Sequence, residues 1–221
     1  MAQYSQFAEQ FSRTREGLVW PEIAMILECI LSGNYSPKNI LDIGCGSGRF
    51  FQNIIDFIPL DIPLVGIDPC RELLDVAHAK QYHQKNITWL EGSFESMENL
   101  NLGQFDIIAA IASFHHIIGK GDSQQAVLSI FNHLLPGGYF AMTNWNLFHE
   151  QYQGKYGKYR TEENNQVYYN IPFDGNHRRY VAWSMKELQE LFDPQYWNIL
   201  LHTATPETEK NIITIVQKKS V

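Results

Sequence analysis

A glycine-rich segment follows a short apolar run and has the residue types of a loop that holds a ligand with its backbone. Residues 40–50 read ILDIGCGSGRF, with glycines at 44, 46 and 48. Glycine allows positive φ and a close approach of the ligand to the main chain, and the free N–H groups of a following helix favour a negatively charged ligand group. A dinucleotide fingerprint has the spacing G-x-G-x-x-G, whereas the third glycine here comes one residue early. The spacing therefore argues against a pyrophosphate loop.

An acidic residue, Asp68, ends the next apolar run, 20 residues past Gly48. An acidic side chain at this place can accept two hydrogen bonds from ribose hydroxyls. Asp68 also has the residue type of an N-cap for a helix that starts near Pro69, and both roles can hold together. With the glycine loop, this position implies a ligand that has one ribose and no diphosphate.

The segments that must position these residues alternate between strand and helix patterns, which predicts a parallel sheet with helices on both faces. The fold class we expect is α/β, with a Rossmann-like sheet of seven strands that is mostly parallel and has an antiparallel strand at its C-terminal end. The predicted strands are short apolar runs at residues 39–43, 64–67, 87–90, 105–112 and 139–144, and a hairpin at 197–203 and 211–217.

A chain of 221 residues with 44% apolar side chains can form one sizeable core, so we expect a single domain over residues 1–221. Residues 146–180 interrupt the alternation, because they combine three glycines and a proline with little apolar periodicity and hold six of the eleven tyrosines. We expect an insertion or lid there, since so many aromatic rings would not be left in water. The expected parts are an N-terminal helical segment at 1–38, a cofactor-binding core at 39–145, the insertion at 146–180, and a C-terminal helix and hairpin at 181–221.

The composition excludes several classes of protein. Seventeen Lys and Arg against 24 Asp and Glu give a net charge of -7, which provides no general attraction to nucleic acid or anionic membrane. No apolar run is long enough to cross a bilayer, and the N-terminus carries charges where a signal peptide is apolar, so we expect a cytoplasmic protein without a membrane partner. Three cysteines without a C-x-x-C pair, and adjacent histidines that point in different directions, predict no metal site.

The sequence resembles the class I S-adenosylmethionine-dependent methyltransferases. The resemblance covers residues 39–145 and is carried by LDIGCGSG, GIDPC, the segment FDII at 105–108 and LLPGGYF at 134–140. It implies that Asp42 and the glycines hold the methionine part of the cofactor S-adenosylmethionine, that Asp68 holds the ribose, and that residues 92–94 flank the adenine. Many relatives carry a carboxylate in this last segment, and Gly92-Ser93-Phe94 has none. The implied cofactor contacts are Asp42, Gly44, Cys45, Gly46, Gly48, Asp68, Pro69, Ser93, Phe94 and Ala112.

The flanking segments resemble the tRNA wobble-uridine methyltransferases, which methylate the carboxylate of 5-carboxymethyluridine. The matching segments are FSRTR at 11–15, Trp20-Pro21, IASFHHI at 111–117, Trp145, and RRYVAWSMKEL at 178–188. The resemblance implies tRNA as a partner, and in eukaryotic relatives a small zinc-binding activator subunit pairs with the catalytic chain. It places Arg15 and His116 at the acceptor as catalytic residues. The expected substrate-binding residues are Arg13, His115, Trp145, Tyr159, Arg178, Arg179 and Tyr180.

Other acceptors fit the same residues. A carboxylate is ionised near neutral pH and needs only groups that orient it, whereas for a phenol or alcohol His116 would have to remove a proton. Between residues 152 and 180 there are five basic and three acidic side chains among the tyrosines, a pattern that suits contact with unpaired bases or a solvated lid over a small-molecule pocket. The alternatives are therefore a small-molecule O- or N-methyltransferase and, from another class, a non-catalytic binding partner with the same fold.

Overall fold

A computed structural model describes residues 20–32, 35–80, 82, 86–173 and 176–220 of the chain. The α-helices of this part are α1 (Pro21–Leu31), α2 (Arg49–Ile54), α3 (Arg71–Ala79), α4 (Lys120–His133), α5 (Glu150–Tyr156) and α6 (Met185–Gln189). The strands are β1 (Ile40–Ile43), β2 (Leu64–Asp68), β3 (Ile87–Glu91), β4 (Phe105–Ile111), β5 (Leu134–Trp145), β6 (Arg160–Glu163), β7 (Gln166–Phe173), β8 (Asn176–Ala182), β9 (Trp197–Ala204) and β10 (Asn211–Lys218).

Seven strands form the main sheet in the order β3-β2-β1-β4-β5-β10-β9. The first five strands in this order are parallel to one another, and β10 runs antiparallel to both β5 and β9. The order reverses between β1 and β4, where the chain leaves β1 for β2 on one side and later returns as β4 on the other. Ligands bind at such a switch point, outside the carboxyl ends of the strands. The predicted fold class is confirmed.

Both faces of the sheet are covered, which explains why its central strands are continuous apolar runs. All four residues of β1 are buried. Ile40 packs on the face that α1 and α2 cover, and Leu41 packs on the face that α4 covers, because successive side chains of a strand point to opposite faces.

The helices begin where the sequence provides starting signals. α1 has Pro21 in its first turn, where a missing N–H costs no hydrogen bond. α6 begins after Ser184, whose hydroxyl accepts a hydrogen bond from the Glu187 N–H while the Glu187 carboxylate accepts from the Ser184 N–H. The apolar side of each of these helices packs into the apolar core on one face of the sheet.

The segment predicted as an insertion forms a helix and a small sheet of its own. β6, β7 and β8 pair antiparallel in that order, and Asn164 and Asn165 join β6 to β7 with φ of 52° and 60°. Two successive positive φ values are typical of the type I′ hairpin turn, which asparagine tolerates. A third apolar cluster lies inside this unit, formed by Leu147, Tyr169, Ile171, Tyr180 and Ala182. The segment therefore contains regular structure, although its sequence shows little apolar periodicity.

No helix in the described ranges combines the length and apolar character that a membrane span requires.

Candidate cofactor and acceptor site

The glycine loop lies at the switch point of the sheet, directly after β1. Gly44, Gly46 and Gly48 all have positive φ, at 74°, 55° and 75°. A Cβ on Gly44 would overlap the side chain of Ser113, which follows β4 and donates a hydrogen bond to the Ile43 carbonyl at 2.7 Å. The loop thus needs glycine at position 44 for two reasons, its backbone conformation and the close approach of the next loop.

Backbone hydrogen bonds hold the loop against the end of β2. The N–H groups of Gly44 and Cys45 donate to the Ile67 carbonyl at 2.7 and 3.0 Å, and the Gly46 N–H donates to Asp68 Oδ2 at 2.8 Å. These bonds fix the shape of the loop before any ligand binds, which lowers the entropic cost of binding.

Asp42, the third residue of β1, is buried, and burial with the neighbouring charge of Asp68 raises the pKa of its carboxyl well above the usual value. Among the described residues no group donates a hydrogen bond to its Oδ1. A buried acceptor oxygen without a donor is costly, so this atom marks a place where a ligand donor fits.

Asp68 binds the loop with both oxygens. Its Oδ1 accepts from the Cys70 N–H at 2.9 Å across Pro69, which forms a turn that leads into α3, and its Oδ2 accepts from Gly46. Burial raises the pKa of this carboxyl to about 6, although the two backbone N–H groups lower it. Each oxygen retains a further lone pair, so the geometry allows both the ribose contact and the turn.

If Asp68 holds the ribose, as the resemblance implies, its raised pKa predicts that cofactor affinity depends on pH. The carboxylate is the form that accepts ribose hydrogen bonds, and it is lost as the pH falls through about 6. One unit below its pKa about one tenth of the group is ionised, so we expect the affinity for S-adenosylmethionine to fall roughly 10-fold between about pH 7 and about pH 5. Calorimetric titrations across this range test the expectation, and Asp68→Asn should bind weakly with little of this dependence.

The opposite wall of the crevice comes from the segments after β3 and β4. The Ser93 N–H donates to Ser96 Oγ at 2.8 Å, and the buried Phe94 ring meets Phe114 edge to face with 5.8 Å between centroids. Ala112 has φ of 53°, and its N–H donates to the carbonyl and hydroxyl oxygens of Thr143. A non-glycine residue in this conformation is held by its surroundings, here by β5.

The adjacent histidines lie in a 3₁₀ turn at Phe114–His116. His115 is buried and its Nδ1 accepts a hydrogen bond from the Trp145 N–H at 3.3 Å, so it is packed in the core of the site. Burial and the neighbouring His116 hold the pKa of His115 well below its usual value. Burial and the charge of Arg178 lower the pKa of His116 to about 4, against a hydrogen bond with the Arg179 backbone that raises it. Both imidazoles are therefore neutral near pH 7.

A row of aromatic rings, which we call the ring stack, extends from His116 into the insertion. Tyr180 lies 4.6 Å from His116 and 5.1 Å from Trp145 between ring centroids. Trp145 continues to Tyr152 at 5.5 Å with planes 5° apart, and Tyr152 continues to Tyr156 at 6.0 Å. The ring stack joins the end of β5 to β8 and α5, so it fixes the insertion against the carboxyl ends of β4 and β5.

The remaining predicted substrate residues are separated by the pleat of β8. Arg178 is buried on the same face as Tyr180, whereas Arg179 is on the other face, where it forms an ion pair with Glu163 at 2.6 Å and lies over the Tyr168 ring. Tyr159 packs against His177. The structure therefore brings His115, His116, Trp145, Tyr180 and Arg178 together and leaves Arg179 and Tyr159 outside this group. Arg13 and Arg15 lie outside the described residues.

Two further residues, Arg49 and Trp20, lie beside the glycine loop. Arg49 follows Gly48 at the start of α2, its guanidinium carbon lies 3.3 Å from the centroid of the Trp20 ring, and its charge lowers the pKa of the nearby Asp42. A cation immediately after the glycine loop, 7 positions beyond an acidic strand residue, was the available signal in the sequence.

In the part of the chain that the structure describes, no three His, Cys, Asp or Glu side chains lie close enough to hold a metal ion.

The comparison with protein families matches residues 40–138 to the methyltransferase domain. The chain is 30% identical to the carboxy-S-adenosyl-L-methionine synthase of Trichodesmium erythraeum over 105 residues, which is 47% of this chain and 41% of that protein. The chain spans less than half of the length of the curated relatives it matches.

Two solved structures share the fold over nearly the whole chain. One is the N-methyltransferase NodS of Bradyrhizobium japonicum with S-adenosyl-L-homocysteine, at 13% identity and TM-score 0.66, covering 99% of this chain and 100% of that one. The other is a putative methyltransferase of Haloferax volcanii in complex with the Trm112 activator, at 14% identity and TM-score 0.68, covering 100% of this chain and 99% of that one. The match of residues 40–138 to the methyltransferase domain and the shared fold of these two structures agree with the predicted methyltransferase class.

Proposed function

We propose that this chain, which carries a methyltransferase domain at residues 40–138, transfers the methyl group of S-adenosylmethionine to a small-molecule acceptor. The proposal treats residues 1–221 as one domain, with the segment at 146–180 as its lid. We place the activity in the cytoplasm, where the free thiols of the described cysteines are stable.

The observation that carries the proposal is that the buried Asp42 Oδ1 accepts no hydrogen bond from the described residues. This atom lies beside the glycine loop, in which a Cβ at position 44 would overlap Ser113. Asp42, Gly44, Cys45, Gly46 and Gly48 would hold the methionine part of the cofactor, with Asp68 and Pro69 at the ribose. Ser93, Phe94 and Ala112 would line the adenine side. The cofactor supplies a methyl group that its sulfonium already activates, so the protein needs chiefly to align the acceptor and exclude water.

The acceptor lies, in this proposal, between the glycine loop and the ring stack. Rings at Trp145 and Tyr180 exclude water from this space, and the neutral His116 imidazole orients the acceptor through its ring nitrogen. His116 is a weak base because of its low pKa, which makes orientation its larger contribution.

The charges of the insertion favour a small acceptor over RNA. Arg160 pairs with Glu162 at 3.0 Å, Arg179 pairs with Glu163, and Arg178 is buried. In the described part of the insertion, exposed Lys155 and Lys158 are the cations outside these arrangements. The three tyrosines at 168, 169 and 180 are buried instead of being presented for stacking on bases. Few contacts remain for a phosphate backbone, which normally dominates binding of nucleic acid.

A second candidate acceptor is the carboxymethyl group of the tRNA wobble uridine. It is favoured by the segments at 11–15, 111–117 and 178–188 that resemble that family. We propose a small activator subunit as the partner for this candidate, and the similarity to the Haloferax volcanii methyltransferase bound to Trm112 supports such a partner.

One labelling experiment separates these candidates. We expect the purified chain, given S-adenosylmethionine with a tritiated methyl group and a cell extract, to label the dialysable fraction, because the charges of the insertion favour a small acceptor. A variant with Asp68→Ala serves as the control for background transfer. Label confined to tRNA contradicts the small-molecule proposal and supports the second candidate. Cofactor binding without label in either fraction supports a non-catalytic binding partner.

A further inference from the structure

The far end of the glycine loop, Ser47 and Gly48, is held by side chains from the segment that follows α3. Lys80 Nζ donates a hydrogen bond to the Ser47 carbonyl at 2.7 Å, and the Tyr82 hydroxyl donates to the Gly48 carbonyl at 3.2 Å. The near end of the loop is held differently, by hydrogen bonds to the end of β2. The two ends of the loop therefore have separate supports.

Lys80 also ties this end of the loop to the helix that follows it. Its Nζ donates to Gln52 Oε1 of α2 at 3.1 Å. Lys80 lies directly after α3, and its backbone N–H donates to the Ala77 carbonyl at 3.2 Å, which fixes the point from which the side chain extends. One ammonium group thus joins the glycine loop, α2 and the end of α3.

Aromatic rings close the space beside Gly48. The Tyr82 and Trp89 rings lie 5.9 Å apart between centroids, and Trp89 continues to Phe51 of α2 at 5.6 Å. A Cβ on Gly48 would overlap the Tyr82 hydroxyl and the Trp89 ring. Ser47 is buried beside them, in surroundings that screen the charge of an ammonium poorly, so its hydrogen bond to a carbonyl is stronger there than at the surface.

The peptide between Ser47 and Gly48 is fixed from both sides. Its carbonyl accepts from Lys80, and its N–H, on Gly48, donates to the Cys45 carbonyl at 3.0 Å. Both polar groups of this peptide are engaged within the protein, so Lys80 acts on the conformation of the loop. A loop that is held in its binding conformation loses less entropy when a ligand binds.

We propose that Lys80 is a positioning residue for the amino-acid tail of the cofactor, because its ammonium group fixes the end of the loop that would hold this tail. This inference rests on the proposed function, which assigns the tail to the glycine loop and the ribose to Asp68. Loss of the Lys80 side chain then weakens binding of the tail and leaves binding of the nucleoside unchanged.

The test uses S-adenosylhomocysteine and 5′-methylthioadenosine, which share a thioether nucleoside and differ in that the first carries the amino-acid tail. Calorimetric titration of the full chain gives both affinities. Lys80→Met keeps an unbranched side chain of similar length and removes its hydrogen bonds. We expect it to weaken binding of S-adenosylhomocysteine about 10-fold, the order of one hydrogen bond to a charged group, with no change for 5′-methylthioadenosine. Lys80→Arg retains the charge and the donors and should lose less.

Lys186→Met is the matched control, because the Lys186 side chain on α6 is 86% exposed, and this variant should keep both affinities. Urea unfolding shows whether each variant is folded, and Lys80→Gln takes the place of Lys80→Met if the methionine variant is not. An unchanged affinity of Lys80→Met for S-adenosylhomocysteine, an equal loss for both ligands, or no binding of 5′-methylthioadenosine to the wild type overturns the inference. If the wild type fails to bind S-adenosylhomocysteine, the proposed function itself is wrong.

Discussion

Replacing Gly44 by alanine should abolish measurable binding of S-adenosylmethionine and lower the free energy of unfolding by about 2–5 kcal/mol. The left-handed conformation costs a non-glycine residue about 1–2 kcal/mol, and forcing a methyl group into a packed contact costs about 1–3 kcal/mol more. The new Cβ meets the side chain of Ser113, which is fixed by its hydrogen bond to Ile43. To relieve this contact, the glycine loop and the loop after β4 must move apart. Both loops line the crevice. Urea unfolding and calorimetry measure the two effects.

Gly103→Ala is the control that isolates the conformational cost. Gly103 has φ of 75°, almost the same as Gly44, and no atom lies within 4 Å of the place where its Cβ would be. We expect this variant to lose about 1–2 kcal/mol of stability and to retain cofactor binding. If the two variants behave alike, the close approach of Ser113 has no energetic role and the account of the loop is wrong.

The second large effect is expected for Asp68→Ala, which should weaken binding of S-adenosylmethionine by at least about 100-fold. The carboxylate accepts hydrogen bonds from the Gly46 and Cys70 N–H groups, and in the proposed complex it also accepts from the ribose. Hydrogen bonds to a charged group contribute about 1.5–3 kcal/mol each, and a loss of about 2.7 kcal/mol corresponds to 100-fold. Calorimetric titration gives the affinity directly.

Asp75→Ala provides the comparison for Asp68. Asp75 lies on the adjoining helix α3 and pairs with Arg71 at 3.1 Å, but its side chain is 64% exposed. Its removal should change neither the cofactor affinity nor the stability appreciably, because exposed ion pairs contribute little. An equal loss in both variants would show that the charge of the protein as a whole, instead of the contact at Asp68, governs binding.

The sequence sufficed for the sheet and the glycine loop because the relevant signals are local. A buried parallel strand is a short apolar run, and the residues that end it at Gly44 need positive φ, so both leave a mark within ten residues. The position of Asp68 is predicted from an equally local signal, because this residue ends the next short apolar run. The position of this loop at the switch point depends on the strand order, which alternation of strands and helices already restricts.

The insertion is harder to predict because its sheet is antiparallel and its apolar face includes tyrosines as well as aliphatic side chains. Alternation in β7 is partial, so the sequence of this segment shows little apolar periodicity. The pair Asn164-Asn165 was the signal for a hairpin, since asparagine tolerates the positive φ of a type I′ turn. Recognition of the hairpin would have indicated that β8 is a strand, and therefore that Arg178 and Arg179 point to opposite faces.

A count of charged residues in the sequence does not show how the charges of the insertion are paired or buried in the fold. The sequence shows five cations and three anions there, but it does not show that Arg160 pairs with Glu162 on β6 or that Arg179 of β8 pairs with Glu163 of β6. Nor does it show that Arg178 is buried. The sequence could not decide between the two histidines either, because a 3₁₀ turn of three residues is too short to show an apolar period.

The most direct test of the central claim is a calorimetric titration of the purified full chain with S-adenosylhomocysteine, repeated with Asp68→Ala. We expect one bound molecule per chain with a dissociation constant on the order of micromolar, and severe loss of binding in the variant. Absence of binding heat from the wild type, or an unchanged affinity in the variant, would contradict the claim that the loop after β1 and the carboxylate after β2 hold this nucleoside.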